Sequence, residues 1–149
     1  MPYNYVNYMS ANDIAFEEGR QDTIVISIRS PGMNPARVQS GFRDVMYLEF
    51  DNVETLSSRH IRFCLDHAQQ ILDFVAKHEG AASRVLVNCM MGESRSAAVA
   101  YHLSKKFGIE LEIEPENPLS WVMHVLRRAE EYAKRAPKPV EATDVTSAS

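Results

Sequence analysis

Five residues separate Cys89 from Arg95, with Gly92 between them and Ser96 directly after. The β-branched, apolar run from Val85 to Val87 leads into Asn88 and Cys89, and Ser96-Ala97-Ala98 opens an alanine-rich stretch with helical character. A thiol at a strand end, a short loop and a helix N-terminus together make a site for a dianion. If the loop wraps back on itself, the backbone N–H groups of Met90, Met91, Gly92, Glu93, Ser94 and Arg95 point at a common centre, where the helix dipole also favours negative charge. A nest of amides of this kind holds phosphate or sulfate. Gly92 permits the positive φ or close backbone approach that such a loop needs. Arg95 supplies a planar fork able to grip two phosphoryl oxygens and to follow their charge into a transition state. The same positive surroundings draw the Cys89 pKa below that of a free thiol, so a thiolate nucleophile exists at neutral pH without a separate base.

The pattern Cys89-x-x-Gly92-x-Ser94-Arg95-Ser96 resembles the Cys-x5-Arg phosphate loop of the protein tyrosine phosphatases, in particular their small dual-specificity branch. The likeness extends to the strand before and the helix after the loop, and more weakly over residues 20–135. It implies a phosphotyrosine-phosphatase-like α/β fold with no cofactor. It also implies a phosphocysteine intermediate on Cys89, phosphoryl oxygens bound by Arg95, and a Ser96 hydroxyl that assists the thiolate as leaving group. One position departs from the pattern. The family usually has His directly before the cysteine, and this chain has Asn88. An amide can donate to nearby backbone carbonyls but titrates nothing, so a less acidic Cys89 and slower turnover are expected.

Phosphoryl transfer to a thiolate requires a proton for the leaving oxygen and then a base for water, and one carboxyl group can serve both steps. Asp51 follows the second predicted strand and precedes the helix that leads to the cysteine strand. That is the order of the acid loop in the small dual-specificity enzymes, so Asp51 is the expected catalytic acid, with Glu54 and Asp44 in reserve. Asp also starts helices and turns, and Asp51 suits either role by position. Met90, Met91 and Glu93 project from the loop and none is basic. Relatives acting on highly phosphorylated inositol lipids usually carry lysines there, so the resemblance implies a monophosphate ester. Arg29, Arg43 and the tyrosine-rich N-terminus are candidates to line the cleft but read as solvated surface, Cys64 reads as a core thiol near an apolar helix stripe, and Trp121 as part of a packing face. The five histidines show no metal-site spacing, and no metal is expected.

The elements that must position these residues are legible as strands at Thr23–Ile28, Val45–Phe50 and Arg84–Asn88. A helix capped by Ser57 or Ser58 is expected to run to Lys77, with Ile61, Leu65, Ala68, Leu72 and Val75 on one stripe. A second helix, Arg95 to Phe107, stops at Gly108, and a third spans Leu119 to Arg135 after a loop bracketed by Pro115 and Pro118. Alternating strands and helices predict a single domain with a mainly parallel central sheet flanked by helices, and ligands bind such sheets at the carboxyl ends of strands. Residues 1–136 are assigned to that catalytic domain and 137–149 to a disordered tail.

A chain of 149 residues with a formal net charge of −4 argues against nucleic acid or an anionic membrane as the main partner. Two cysteines make no disulfide framework, a reactive thiol needs a reducing compartment, and neither a signal peptide nor a membrane-spanning run is seen. Cytoplasm is the expected location. The expected partner is a phosphorylated protein or a small phosphomonoester, and the sequence is silent on oligomeric state. Two other classes use comparable parts: a pseudophosphatase that binds phosphorylated partners without turnover, favoured only by Asn88, and a redox or sulfur-transfer enzyme with an essential cysteine. Low-molecular-weight phosphatases and their arsenate-reducing kin carry the loop near the N-terminus, whereas here it follows two predicted strands and a long helix.

Overall fold

The two most apolar segments of the chain lie at the centre of the sheet. In the computed structural model, which describes residues 2–135, β2 (Thr23–Arg29) and β4 (Arg84–Cys89) are neighbours. β1 (Tyr5–Ser10) lies outside β4, and β3 (Asp44–Glu49) lies outside β2. The order is β1-β4-β2-β3, and every pairing is parallel. Strands buried on both faces read as continuous apolar runs, as β2 and β4 do. The edge strands alternate less cleanly, and in β1 only Val6 is fully buried. Its sequence, Tyr-Val-Asn-Tyr-Met-Ser, gives no strand signal of that kind, and sequence reasoning missed it.

The mainly parallel α/β sheet expected from the sequence is the one observed. Three longer helices, α2 (Leu65–Lys77), α3 (Arg95–Phe107) and α4 (Ser120–Arg135), share the larger core. Ile24, Ile26, Val85 and Val87 of the sheet pack there with Ile71, Phe74, Leu103 and Leu126 of the helices. The other core holds Val25, Leu86, Phe42 and Ile14, the last from the single-turn α1 (Ala11–Ile14). Burial of each such aliphatic side chain contributes about 1.5–3 kcal/mol. The link from β2 to β3 crosses without a helix.

α2 starts later than the serines at 57 and 58 suggest. Ser57 Oγ instead accepts from the Arg59 N–H at 3.2 Å, closing a turn. Asp51 and Ile61 clamp the loop twice: the Asp51 N–H donates to the Ile61 carbonyl at 2.7 Å, and Asp51 Oδ2 accepts from the Ile61 N–H at 2.8 Å. The helix therefore begins at Leu65, with His67 Nδ1 accepting from the Cys64 N–H at 3.1 Å. Its buried face is Ala68, Ile71, Phe74 and Val75, while Ile61 and Leu65 are exposed, so the expected stripe is rotated. Cys64 is exposed as well, contrary to its reading as a core thiol. α3 ends as expected on Gly108, which has φ +66°. The expectation of a disordered tail over 137–149 lies outside the described residues.

Candidate active site

Because β4 is flanked by β1 and β2, its carboxyl end opens between two other strand ends, and Cys89 is its last residue. The thiol is 2 % exposed, and Cys89 Sγ lies 3.0 Å from Ser96 Oγ. The loop joining β4 to α3 is held on three sides. The Ala11 N–H of α1 donates to the Met90 carbonyl at 3.2 Å, and the Leu119 N–H ahead of α4 donates to the Ser94 carbonyl at 3.0 Å. On the β1 side, Gly92 has φ +72°, and a Cβ placed there would stand 2.4 Å from the Ser10 nitrogen and 2.5 Å from the Met9 carbonyl carbon. Only glycine fits that approach.

Arg95 is buried at the start of α3. Its Nη1 donates to the Phe50 carbonyl at 2.8 Å and to Ser30 Oγ at 3.0 Å, so the ends of β3 and β2 fix the guanidinium. Among the described residues no hydrogen bond engages Nε or Nη2, which leaves an edge of the fork for a ligand oxygen. Burial pushes the Cys89 thiol up. Donation from the Ser96 hydroxyl, the Ser96 and Gly92 N–H groups and the Arg95 charge outweigh it, and the net effect lowers the pKa below the ordinary thiol value. A buried anion-stabilising loop with a thiolate at its base can present a nucleophile to a bound dianion.

A cavity of about 480 Å³ opens over Cys89, and the segment 113–117 forms one wall. Tyr8 straps that wall to the sheet by donating its hydroxyl to the Ile113 carbonyl at 2.9 Å. The expected loop residues Met91, Gly92, Glu93, Ser94 and Arg95 line the cavity with Cys89, whereas Met90 faces a second cavity beyond the loop. Asn52 lines it too, but Asp51 does not. The Asp51 carboxylate leans on Ile61 through Oδ2, and Oδ1 has no hydrogen bond among the described residues.

The reserve acids have other work. Glu54 accepts from the Ser120 N–H, the Ser120 hydroxyl and the Trp121 N–H, at 3.0, 2.8 and 3.0 Å, and so caps α4. Asp44 pairs with His78 at 2.9 Å at the amino end of β3, away from the strand ends that carry the loop. Arg43 donates to the Gln21 carbonyl at 2.7 Å. Arg29, expected on the solvated surface, is half-buried, donates to Glu49 at 2.8 Å and lines the second cavity.

Asn88 is completely buried, and among the described residues neither its side-chain oxygen nor its nitrogen has a partner. Among the described residues the amide makes none of the donations to backbone carbonyls of which it is capable. Along a strand, side chains alternate between faces, so Asn88 lies opposite Cys89, on the side of Leu86. Sequence reasoning read the tyrosine-rich N-terminus as solvated surface, although Tyr8 lines the cavity, and it missed Ser30, the Phe50 carbonyl and the 113–117 wall. Only the prolines at 115 and 118 signalled a loop there.

No protein-family model matches the chain, and no curated protein matches it. Among solved structures it is similar to the human tyrosine phosphatase-like serine/threonine/tyrosine-interacting protein, with a TM-score of 0.51 and 19 % identity over 75 % of this chain and 78 % of that one. At that identity the likeness speaks to fold, and the fold of this chain is phosphatase-like.

Proposed function

We propose that the chain is a phosphomonoester hydrolase of the protein tyrosine or dual-specificity phosphatase type, acting through a phosphocysteine on Cys89. The observation that carries this reading is the buried Cys89 thiol 3.0 Å from Ser96 Oγ, inside a loop whose arginine is fixed with one edge of its fork unengaged. The thiolate attacks phosphorus, the S–P bond forms and the P–O bond to the leaving group breaks. Asp51 gives that oxygen its proton from Oδ1. Asp51 then takes a proton from water as the water attacks the phosphocysteine, releasing inorganic phosphate and the thiolate, which the Ser96 hydroxyl stabilises. Backbone N–H groups of residues 90–95 and the Arg95 guanidinium hold the equatorial oxygens. No cofactor enters the scheme, and the substrate is a phosphorylated protein or a small phosphomonoester.

A second reading, a pseudophosphatase that binds phosphorylated partners without turnover, draws on the Asp51 carboxylate, which rests on Ile61 and not in the cavity. Single-turnover kinetics of Asp51→Asn separate the two. The hydrolase reading expects turnover about 10²–10⁴-fold below the parent, with vanadate binding retained. A parent that binds vanadate but never turns over, whatever stands at position 51, would replace it with the binding reading.

A further inference from the structure

The wall around the cysteine cavity carries charge of one sign. Glu93 from the loop and Glu114 and Glu116 from the 113–117 segment line it, and Arg95 is the only Lys or Arg among its lining residues. All three carboxylates are exposed, and none forms an ion pair among the described residues. The Tyr8 phenol registers the same field: burial raises its pKa, and the charges of Glu114 and Glu116 raise it further. Arg29 and Arg37 line the second cavity of about 410 Å³, which shares Arg95 with the first but does not include Cys89, and Arg29 is already paired with Glu49.

A phosphoryl group can reach the thiol only through the cavity that Cys89 lines, so everything flanking that group meets this acidic wall. Unpaired carboxylates there repel a neighbouring Asp or Glu on a substrate and attract a neighbouring Lys or Arg. The amide loop and Arg95 counter the phosphate's own charge at the base of the cavity, and the wall acts on what lies beside it. The net charge of −4 adds a long-range field of the same sign.

We propose that the site, read as a phosphatase site above, selects phosphorylated side chains flanked by lysine or arginine in a polypeptide and disfavours those flanked by acidic residues. Glu114 and Glu116 are its specificity-determining residues. One exposed carboxylate–cation pair changes affinity by about 1.4- to fivefold. Several acting together give basic over acidic phosphopeptides about a tenfold preference at low salt, or 1.4 kcal/mol.

The test compares phosphotyrosyl peptides of one length, flanked by Lys/Arg, by Ser/Ala or by Asp/Glu. It measures kcat/KM on the parent and Kd on Cys89→Ser, at low and high ionic strength. The expected order is basic, neutral, acidic. The ratio should shrink as the Debye length falls from about 30 Å at 0.01 M to about 3 Å at 1 M, and collapse in E114Q/E116Q. Acidic peptides served as well as basic ones, or a ratio untouched by E114Q/E116Q, would overturn the proposal. The Kd arm separates this from the catalytic reading. A parent that hydrolyses no peptide while Cys89→Ser still ranks them by charge would remove the phosphatase and leave the selectivity standing.

Discussion

Replacing Gly92 by alanine should damage the protein far more than the same change at Gly108. Both residues have positive φ, +72° and +66°, so each alanine carries the left-handed penalty of about 1–2 kcal/mol, partly offset by the lower entropy of its unfolded chain. At Gly108 nothing among the described residues lies within 4 Å of the added Cβ, and that penalty is the whole cost. At Gly92 the Cβ meets the Ser10 nitrogen at 2.4 Å, the Met9 carbonyl carbon at 2.5 Å and the Met9 oxygen at 2.9 Å. These are backbone atoms of β1, which is locked to β4 through the Met9–Asn88 and Ser10–Cys89 register. Reaching ordinary contact requires the loop and strand to part by about 1 Å, and overpacking of this kind costs a further 1–3 kcal/mol or so. The expected losses are about 1 kcal/mol for Gly108→Ala and about 3 kcal/mol for Gly92→Ala. In a domain of this size those correspond to falls in Tm of about 2–4 °C and about 6–12 °C. Because the displaced backbone is the loop proposed to hold the phosphoryl group, the parent and Gly108→Ala should be stabilised by orthovanadate and Gly92→Ala should not. Thermal melts of the three proteins with and without orthovanadate decide the matter. A Gly92→Ala protein no less stable than Gly108→Ala, and still stabilised by orthovanadate, would refute the account of the loop.

Two further predictions concern the neighbours of the thiol. Ser96→Ala removes a donor to the Cys89 thiolate, so the Cys89 pKa rises. The nucleophile is present only above that pKa, so the acid limb of kcat/KM and of alkylation by iodoacetamide should both move to higher pH. Unmoved limbs would show that the Ser96 hydroxyl does not stabilise the thiolate. Asn88→Leu removes a fully buried amide whose oxygen and nitrogen have no partner among the described residues, and leaving such a group unsatisfied costs about 1–3 kcal/mol. Its urea midpoint should rise by an amount corresponding to about 1 kcal/mol, and a clear fall would mean that the amide has a partner in solution.

What the sequence disclosed depends on how local each feature is. β2, β4, α3 and α4 were legible because continuous apolar runs and helical periods are written within each segment. β1 was not, because as an edge strand it buries only Val6 fully, and its side chains mix tyrosine with polar residues. The start of α2 depended on a clamp between Asp51 and Ile61, ten residues apart, which no helix-capping pattern reveals. The pairing of Cys89 with Ser96 was implied by the resemblance of the loop, whose pattern is written within eight consecutive residues. The partners of Arg95 could not be anticipated, since Ser30 and Phe50 lie 65 and 45 residues away and come together only through the sheet order. Asp51 shows the remaining difficulty: its place after β3 is readable, but the direction of its carboxylate is set by the 52–61 loop.

Hydrolysis of a small aryl phosphate in reductant, compared between the parent and Cys89→Ser, decides whether Cys89 is the nucleophile of a phosphomonoesterase. The expected result is steady release of phosphate by the parent, a phosphocysteine trapped on rapid quenching, and neither in Cys89→Ser. Equal hydrolysis by both proteins, or a parent that binds vanadate and releases no phosphate at any pH, would contradict it.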